Sequence, residues 1–351
     1  TSNGDPSERW DTSLNVEQER AACYHDRAKA LLVLAGAGCG KTKTLIAFEN
    51  IYGETPAEAS SSAIRLDINS NGVACSQSST APSTLRGNRN PVEPILGNHD
   101  VSGDIAVPLD YVSFGYWLKA AFGTPTSAAE GSAGKYKHVF KVGDSQPSFT
   151  LEKAFPGINT YLRDKGCKVS KLSLSVGGDG ELVATVSVMG AKEEKATASM
   201  SESPVEPKFA RAQNFQASAK LGGNVKGKLT SFSIDIDFGL DGDTYCIGGD
   251  GYREAICEGA ITVSGTLEAF FDSMEYLDMA ANNTATSAEI IFTGGDNSIS
   301  LLLPELKFAR TSPSIDGPGG IKQSLTYNAY YENSSQGSAV VVTLVNENTA
   351  Y

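Results

Sequence analysis

The feature that most constrains the fold of this chain is a β-strand pattern that occurs twice after about residue 55. In the first copy Ile64, Leu66 and Ile68 alternate with polar residues, and in the second copy large apolar residues alternate with polar ones over 232–238. Alternation with a period of two is typical of a strand that buries one face and exposes the other. The repetition therefore predicts two similar β-rich halves.

Two further blocks follow each copy in the same order. Residues 103–107 match residues 259–263, and each block leads into a stretch with helical spacing. Each copy then closes on a predicted hairpin, over 172–188 around Gly-Gly-Asp-Gly and over 325–344 around a glycine-containing turn. The order of strands, short helix and hairpin thus occurs twice, with a join near 204–207.

These patterns predict a mainly β fold with two tandem β-sandwich or barrel domains, at 51–205 and 206–351. Each domain has a short flanking helix, which we expect over 114–122 in the first domain with Trp117 in the core. Residues 1–50 form a separate N-terminal appendage of α/β character. The 351 residues and 36 glycines fit two turn-rich β domains with cores of their own.

Composition argues against several kinds of function. No apolar run approaches the ~20 residues that span a bilayer, so we expect no membrane insertion. The six cysteines show no CxxC spacing and are interpreted as reduced thiols, with a Cys246–Cys257 bridge as the alternative. Three scattered histidines favour neither a metal site nor a histidine-based catalytic triad. We predict no catalytic residues, no metal and no cofactor.

The negative charge is concentrated in the second half. The net charge is −12, and residues 206–351 carry eighteen acidic side chains against nine basic ones. This balance argues against gripping nucleic acid through its phosphates, which requires lysine and arginine on the contact face. It is compatible with DNA that passes close by without binding, or with a solvated surface that keeps the protein soluble.

One conventional motif lies near the N-terminus. An apolar run at 31–34 leads into Ala-Gly-Ala-Gly-Cys-Gly-Lys-Thr at 35–42, the pattern of a Walker A loop, in which backbone N–H groups cradle phosphates. Together with the segment around Gln18, residues 14–48 resemble the nucleotide-binding region of superfamily-one DNA helicases. The candidate nucleotide-binding residues are Gln18, Gly36, Gly38, Gly40, Lys41 and Thr42.

The motif is not followed by the rest of a nucleotidase. A P-loop requires a parallel sheet with a second strand that ends in a magnesium-binding acid, and no such strand follows residue 48. Some 35 residues do not suffice to cover a buried parallel strand on both faces. We therefore interpret residues 1–50 as an incomplete helicase-like fragment joined to a different protein, and predict that the chain is not an enzyme.

Residues 52–351 resemble the tail tube proteins of long-tailed bacteriophages. The resemblance opens with Tyr-Gly-Glu-Thr-Pro at 52–56 and continues in segments 85–89, 101–105, 221–223, 265–267 and 315–320. It implies β units with one flanking helix, in trimers that mimic six-fold rings and stack around a channel for the genome. It also implies phage DNA passing without specific binding, tail tip and tail terminator proteins as partners, assembly in the host cytoplasm, and a place in the virion tail.

Candidate contact and channel residues follow from the segments that do not fit a core. The irregular segment 82–96, with Arg86 and Arg89, is predicted to be an inter-subunit or inter-ring arm. Its arginines are predicted to meet Asp241 and Asp243 of the glycine-rich loop 241–254 in the next ring. The predicted channel-lining acids are Asp235, Asp237, Glu268 and Asp272.

Two other functions remain open from the sequence. The first is a P-loop ATPase related to helicases that uses the Walker A loop at 35–42. The second is a monomeric β-sandwich binding module or adhesin, since paired β domains also serve that role. Against the second stands an aromatic content of 8% with no cluster on a single loop.

Overall fold

The computed structural model describes residues 43–131, 134–225, 229–313 and 320–351. Lys43–Tyr351 form one compact unit. The described residues of its first half hold eleven strands and two helices: β1 (Lys43–Phe48), α1 (Ala59–Ser62), β2 (Ile64–Arg65), β3 (Ser70–Asn71), β4 (Ala74–Thr80), β5 (Ile95–Pro108), α2 (Phe114–Phe122), β6 (Thr126–Ala129), β7 (Tyr136–Lys141), β8 (Phe149–Phe155), β9 (Thr160–Gly177), β10 (Val183–Gly190) and β11 (Lys192–Ala196).

The second half holds eight strands and one helix in its described residues: β12 (Ala217–Leu221), β13 (Asn224–Val225), β14 (Leu229–Asp237), β15 (Thr262–Phe270), α3 (Glu275–Ala281), β16 (Thr286–Gly294), β17 (Asn297–Phe308), β18 (Lys322–Ala329) and β19 (Val341–Asn346). Short 3₁₀ turns lie at Pro156–Ile158 and Asn214–Gln216. None of the helices in these ranges combines the length and apolar character that crossing a membrane requires.

The named strands are linked by antiparallel pairing into a single network, so the prediction of a mainly β fold of the sandwich type is confirmed. Alternate residues of the long strands are buried, as in β10, where every second side chain lies in the core. One large apolar cluster joins both halves, because β9 pairs with β14 and β7 pairs with β19.

The order of strand pairing is the same in the two halves. β5 lies between β3–β4 and β10 as β15 lies between β14 and β18. β10 then pairs with β9, and β18 with β17. Likewise β8, β1 and β11 relate to β9 as β16, β12 and β19 relate to β17. Both β8–β9 and β16–β17 even shift register at the same place, before Leu151 and before Ala288.

Two glycines fix which residues of the halves match. The same triplet, Val-Ser-Gly, occurs at 101–103 in β5 and at 263–265 in β15. A Cβ on Gly103 would lie 2.3 Å from the carbonyl oxygen of Gly72, and one on Gly265 would lie 2.0 Å from that of Ser233. Residues 103–107 therefore match a block that starts at Gly265, and the predicted match with 259–263 is wrong.

The predicted hairpins have different outcomes. β9 and β10 form the first hairpin. Three of the four residues at 177–180 are glycines, Gly177, Gly178 and Gly180, and all three have positive φ angles that favour glycine. The second is wrong, because β18 and β19 do not pair with each other and both pair with β17. The predicted strand around Ile64–Ile68 is also shorter than expected, since only Ile64–Arg65 is extended and paired.

The helix predicted at 114–122 is confirmed as α2. Seven of its nine residues are buried, and Trp117 packs edge-on against Phe149 with ring centroids 6.4 Å apart. Its counterpart α3 buries only Tyr276 and Ala280. The helix therefore supplies much more of the core in the first half than in the second.

The N-terminal boundary differs from the predicted one. Lys43–Phe48, which the sequence assigned to the helicase-like fragment, is strand β1 and pairs with β2 and β8. The division into domains at 205/206 stays a prediction. The candidate nucleotide-binding residues and the rest of the predicted appendage up to Thr42 lie outside the described residues.

Candidate channel and subunit-contact surfaces

One face of the central sheet is polar across strands from both halves. β5, β10 and β9 of the first half lie beside β14, β15 and β18 of the second, and their registers align the outward side chains in rows. One row crosses all six strands: Ala106, Thr185, Ser173, Asp235, Ser264 and Asn328. The opposite face of the same strands is buried. We call the outward side the polar face.

The polar face carries more acids than bases. Asp235 lies at its centre, where Lys171 Nζ is 3.0 Å from Oδ1 and Ser173 Oγ donates a 2.6 Å hydrogen bond. Partial burial opposes ionisation of this carboxyl, but the bonds from Ser173 and Lys171 outweigh it and lower the pKa of Asp235. Asp235 is therefore ionised at neutral pH.

Three of the four predicted channel acids lie on the polar face. Asp235 and Asp237 are on β14 and Glu268 is on β15 opposite Ser231. Asp272 lies beyond the end of β15, between this strand and α3, and so is not on the sheet. The sequence missed Asp104, whose Oδ1 accepts a 2.6 Å hydrogen bond from Ser187 Oγ. Extending the alternation along residues 101–107 would have found it.

The predicted arm is a β-hairpin that projects from the sheet. β4 pairs with β5 from Ala74 to Thr80, and both faces of its outer part are exposed to solvent. Residues 81–94 form the tip, where Leu85 is 97% exposed. Within the described part of the chain, Arg86 and Arg89 form no ion pair. We call residues 74–100 the arm.

The loop 241–257 packs on the root of the arm in the same chain. Arg253 forms an ion pair with Asp100 and donates a 3.0 Å hydrogen bond to the Gly190 carbonyl. Tyr245 Oη donates a 2.7 Å bond to the His99 carbonyl, and the His99 ring stacks on Tyr252 at 4.3 Å. The sequence did not identify this contact, because nothing in the local pattern relates residues 99 and 252.

The structure does not bring the arm's arginines to the acids of this loop. Asp241 and Asp243 are exposed, and Asp241 accepts a 2.9 Å hydrogen bond from the Asp243 backbone N–H. Both acids lie at the arm's end of the sheet, since the loop joins β14 to β15 there. A contact of Arg86 or Arg89 with either acid stays a prediction for neighbouring copies.

The outermost strands of the sheet in the first half, β3 and β4, form an unpaired edge. Among the described residues β3 and β4 pair only with β5, so the other edge of each strand has free backbone N–H and C=O groups. The matching edge of β14 pairs with β9 inside the chain, from Ser231 opposite Gly177 to Asp237 opposite Lys171.

The sequence profile of the phage tail tube protein family matches residues 41–329, most of the chain. The chain belongs to this family. It is therefore a structural subunit of a phage tail tube, a component of the virion tail that associates with itself and with other tail proteins. No curated protein sequence matches the chain.

The other interpretations gain nothing from the structure or the comparison. Cys75, Cys167, Cys246 and Cys257 are all free thiols, as predicted. In the ranges that the structure describes, no three His, Cys, Asp or Glu side chains are grouped to hold a metal ion. The Walker A resemblance lies outside those ranges, so nucleotide binding stays a prediction.

Proposed function

We propose that copies of this tail tube subunit join edge to edge into rings, and that the polar face lines the channel. The observation that supports this proposal is the β9–β14 junction, where β9 of the first half forms an antiparallel pair with β14 of the second half. Because the two halves repeat the same pairing order, the same junction can form between the second half of one copy and β3–β4 of the next. Each ring junction would then resemble the junction inside the chain.

The repeat predicts the residues of this inter-copy junction. β17 corresponds to β9 and ends at Phe308, so residues 309–313 correspond to the start of the β9 segment that pairs with β14. Residues 309–313 are in no strand of the isolated chain, although Ala309 N–H donates a 2.8 Å bond to Thr326 O. In the predicted register Arg310 of one copy lies opposite Ser76 of the next, as Lys171 lies opposite Asp237.

Edge pairing also suggests a stoichiometry. Each chain supplies two β units of the same topology, so three chains supply six units to a ring with local six-fold character. A closed ring leaves no free strand edge, which removes the exposed backbone groups of β3–β4. We propose a trimeric, pseudo-hexameric ring.

The charge of the polar face suits DNA that must slide. Its acids are Asp104, Asp235, Asp237 and Glu268. Its bases are Lys171, which is paired with Asp235, and Lys322 at the end of β18. A surface of this composition offers few cations to phosphate groups, so it repels the DNA backbone over about one Debye length, ~8 Å at physiological salt. We propose that phage DNA passes along this face without specific binding.

The arm and the loop 241–257 are proposed as contacts to the neighbouring ring. Both lie at the same end of the sheet, so Arg86, Arg89, Asp241 and Asp243 would all lie at one rim of the proposed ring. Replacing Arg86 and Arg89 by Glu is expected to block tube growth while the monomer still folds, and unchanged polymerisation would remove these arginines from the interface. Tail tip and tail terminator proteins would cap the two ends of the stack, which assembles in the host cytoplasm.

A cysteine pair tests the ring junction directly. Cα partners in antiparallel strands are about 4.5–5.5 Å apart, a distance that a disulfide spans. The double variant Arg310→Cys with Ser76→Cys is expected to give disulfide-linked trimers on oxidation of the assembled protein. The matched control, Arg310→Cys with Gln77→Cys, places the second thiol on the opposite face of β4 and is expected to give no disulfide-linked trimers.

The result separates ring closure from other modes of association. Disulfide-linked trimers in the first variant and no disulfide-linked trimers in the control support edge pairing in this register. Equal yields from both pairs, or particles without rings in negative-stain images of the unmodified protein, would contradict the proposal.

A further inference from the structure

A cluster of three ionisable side chains lies between strands β8, β9 and β11 of the first half. The side chains of Lys153 in β8 and Asp164 in β9 are only 9% and 0% exposed, and Lys153 Nζ lies 2.9 Å from Asp164 Oδ2. Glu193 of β11 is the register partner of Asp164, and its Oε2 lies 3.4 Å from the same Nζ. We call these three residues the buried triad.

The fold itself does not require the buried triad, because the second half is built without it. Where the two halves match, the second half holds three buried apolar residues instead: Ile290, Leu303 and Val340. The first two lie in β16 and β17, and the third directly precedes β19, the counterpart of β11. Well-packed apolar side chains often replace a buried ion pair without loss of stability, so the triad points to a role other than folding.

The carboxyl group of Asp164 lacks the hydrogen bonds that a buried carboxylate normally accepts. Neither of its oxygens has a hydrogen-bond partner among the described residues, although Lys153 Nζ lies close to one of them. Burial above all, together with the nearby charge of Glu193, raises the pKa of Asp164 to about 6 against the opposing effect of Lys153. A raised pKa favours the neutral acid, whose carboxyl carbon is more open to attack by a nucleophile than that of a carboxylate.

A second buried carboxyl of the same hairpin is, by contrast, fully bonded. Glu152 Oε2 accepts a 2.8 Å hydrogen bond from Arg163 Nε and a 2.7 Å bond from the Met200 N–H. Its Oε1 accepts a 2.6 Å bond from Ser199 Oγ. An arginine guanidinium keeps its proton in proteins, so it cannot act as a nucleophile. The buried triad differs on both counts, since it combines a lysine with an acid that lacks hydrogen bonds.

The nitrogen of Lys153 is held next to this acid by two other groups. Nζ donates a 2.8 Å hydrogen bond to the Val73 carbonyl and a 3.4 Å bond to Glu193 Oε2. Asp164 is the third neighbour of the nitrogen. A lysine amine becomes a nucleophile when a neighbouring base takes its proton, and Glu193 is in place to be that base.

We propose that Lys153 and Asp164 react to form an amide bond between their side chains, with Glu193 transferring the proton. The bond from Nζ to Cγ forms, the bond between Cγ and one carboxyl oxygen breaks, and that oxygen leaves as water. Glu193 takes a proton from Nζ and returns it to the leaving oxygen, so it ends in the state in which it began. The ion pair holds the same atoms as the reacting amine and acid, because transfer of one proton from Lys153 to Asp164 gives both. No oxidant, reductant or cofactor is needed.

The amide would join β8 to β9 by a covalent bond that reducing agents do not break. Like a disulfide, it would close a loop of the chain, here 153–164, and constrain the unfolded state. Asp164 titrates only in chains that have not yet reacted, since an amide does not ionise. The inference is independent of the proposed ring, because the bond forms within one chain.

Mass spectrometry of the full chain tests the reaction. Incubation of freshly purified, folded protein is expected to lower the intact mass by the mass of one water molecule. Trypsin does not cleave after a lysine whose side chain is acylated. The digest should therefore contain the peptide 142–163 with the dipeptide 164–165 attached through Asp164 to Lys153.

Three variants test the roles of the residues. Glu193→Gln keeps the size of the side chain but cannot accept the proton, so it should slow amide formation about a hundredfold or more. The matched control, Glu194→Gln, changes the next residue of β11, which pairs with Arg163 instead of Asp164, and should react at the rate of the unmodified protein. Lys153→Arg keeps the positive charge without the nucleophile and should lose no water. Thermal unfolding checks that each variant is folded.

Each outcome supports or overturns the proposal. The branched peptide in the unmodified protein, absent in Lys153→Arg and slow to form in Glu193→Gln, supports it. An unchanged mass with only linear peptides after incubation would overturn it, whatever the variants do. A loss of water that maps to an Asp-Gly sequence such as 179–180 would also overturn it, because aspartate before glycine loses water as a succinimide. Equal rates for Glu193→Gln and Glu194→Gln would contradict proton transfer by Glu193.

Discussion

The two halves of this subunit share one order of strand pairing but differ in how they fill it. In the first half, α2 buries seven residues under the sheet and the β8–β9 hairpin contains a buried ion pair between Lys153 and Asp164, 2.9 Å apart. In the second half, α3 buries two residues, and the positions that match the ion pair hold Ile290 and Leu303, both buried.

This difference distinguishes the backbone features that both halves require from the core side chains that can vary between them. The Val-Ser-Gly triplets and the register shifts before Leu151 and Ala288 occur in both halves, because they determine how neighbouring backbones approach each other. The composition of the core is not shared, since a core accepts different side chains provided that the volume is filled. Four comparisons of variants test this distinction, taken from the largest expected effect to the smallest.

Removing the central aromatic side chain of α2 should have the largest effect on stability. Trp117 is 1% exposed and packs on Phe149, so Trp117→Ala leaves a large cavity and should cost about 3–5 kcal/mol of unfolding free energy. Tyr276→Ala in α3 should cost less, because α3 covers less of the core. Urea unfolding of both variants measures the difference, and equal losses would show that the helices contribute alike.

Adding one methyl group to the shared glycine should disturb the second half more than the first. A Cβ on Gly265 would also approach the Tyr327 hydroxyl to 2.5 Å, so Gly265→Ala should cost about 1–3 kcal/mol. Gly103→Ala should cost less, since β4 pairs only with β5 and can move outward, whereas β14 is held between β15 and β9.

Thermal unfolding compares these variants with Gly157→Ala, where a Cβ would meet nothing within 4 Å. A larger loss for Gly103→Ala than for Gly265→Ala would mean that the outer strands are as firmly held as the inner ones.

Replacing the buried ion pair by its apolar counterpart should change how stability depends on pH. Burial raises the pKa of Asp164 to about 6, although Lys153 opposes the shift. The folded pKa thus exceeds the unfolded value near 3.8, so the stability that this carboxyl contributes is present at pH 4 and is lost as the pH rises through 6. The double variant Lys153→Ile with Asp164→Leu lacks this loss.

As the pH rises from 4 to 7, the double variant should therefore become more stable relative to the unmodified protein. The difference in unfolding free energy should reach about 1–2 kcal/mol at pH 7. Urea unfolding at both pH values measures the gain. Asp164→Asn also leaves the buried Lys153 without this partner, so it should be less stable than the double variant at both pH values, but it should show the same change with pH. A difference between double variant and unmodified protein that is the same at both pH values would show that Asp164 does not titrate in this range.

The smallest effect is expected on the polar face. Asp235 corresponds to Ala74 of the first half, and its pair with Lys171 is about 40% exposed, so Asp235→Ala should cost under about 1 kcal/mol in the monomer. If the polar face lines the channel, the same substitution should increase retention of DNA fragments by assembled tubes at low salt. Glu202→Ala, an exposed acid outside the polar face and outside the proposed contacts, is the control; equal retention by both variants would argue against this lining.

Much of the fold was predictable from local patterns. The alternation of apolar residues predicted a mainly β protein, the spacing of Phe114, Trp117 and Leu118 predicted α2, and the glycines at 177–180 predicted the β9–β10 turn. Of the predicted channel acids, Asp235, Asp237 and Glu268 share one face because side chains on a strand alternate with a period of two.

The predictions that failed concern partners in space. A period of two specifies which side of a strand is buried but not which strand lies beside it, so 325–344 read as a hairpin although β18 and β19 each pair with β17. The packing of Arg253 and Tyr245 on the arm root joins residues some 150 positions apart, and only the tertiary structure places them together.

The sequence by itself determined that this protein is built from β-strands in two similar halves, because periodicity and glycine turns act over a few residues. The tertiary structure decided the register between strands, the single polar face across both halves and the free edge of β3–β4. Those depend on side chains and backbones that meet only when distant segments pack against each other.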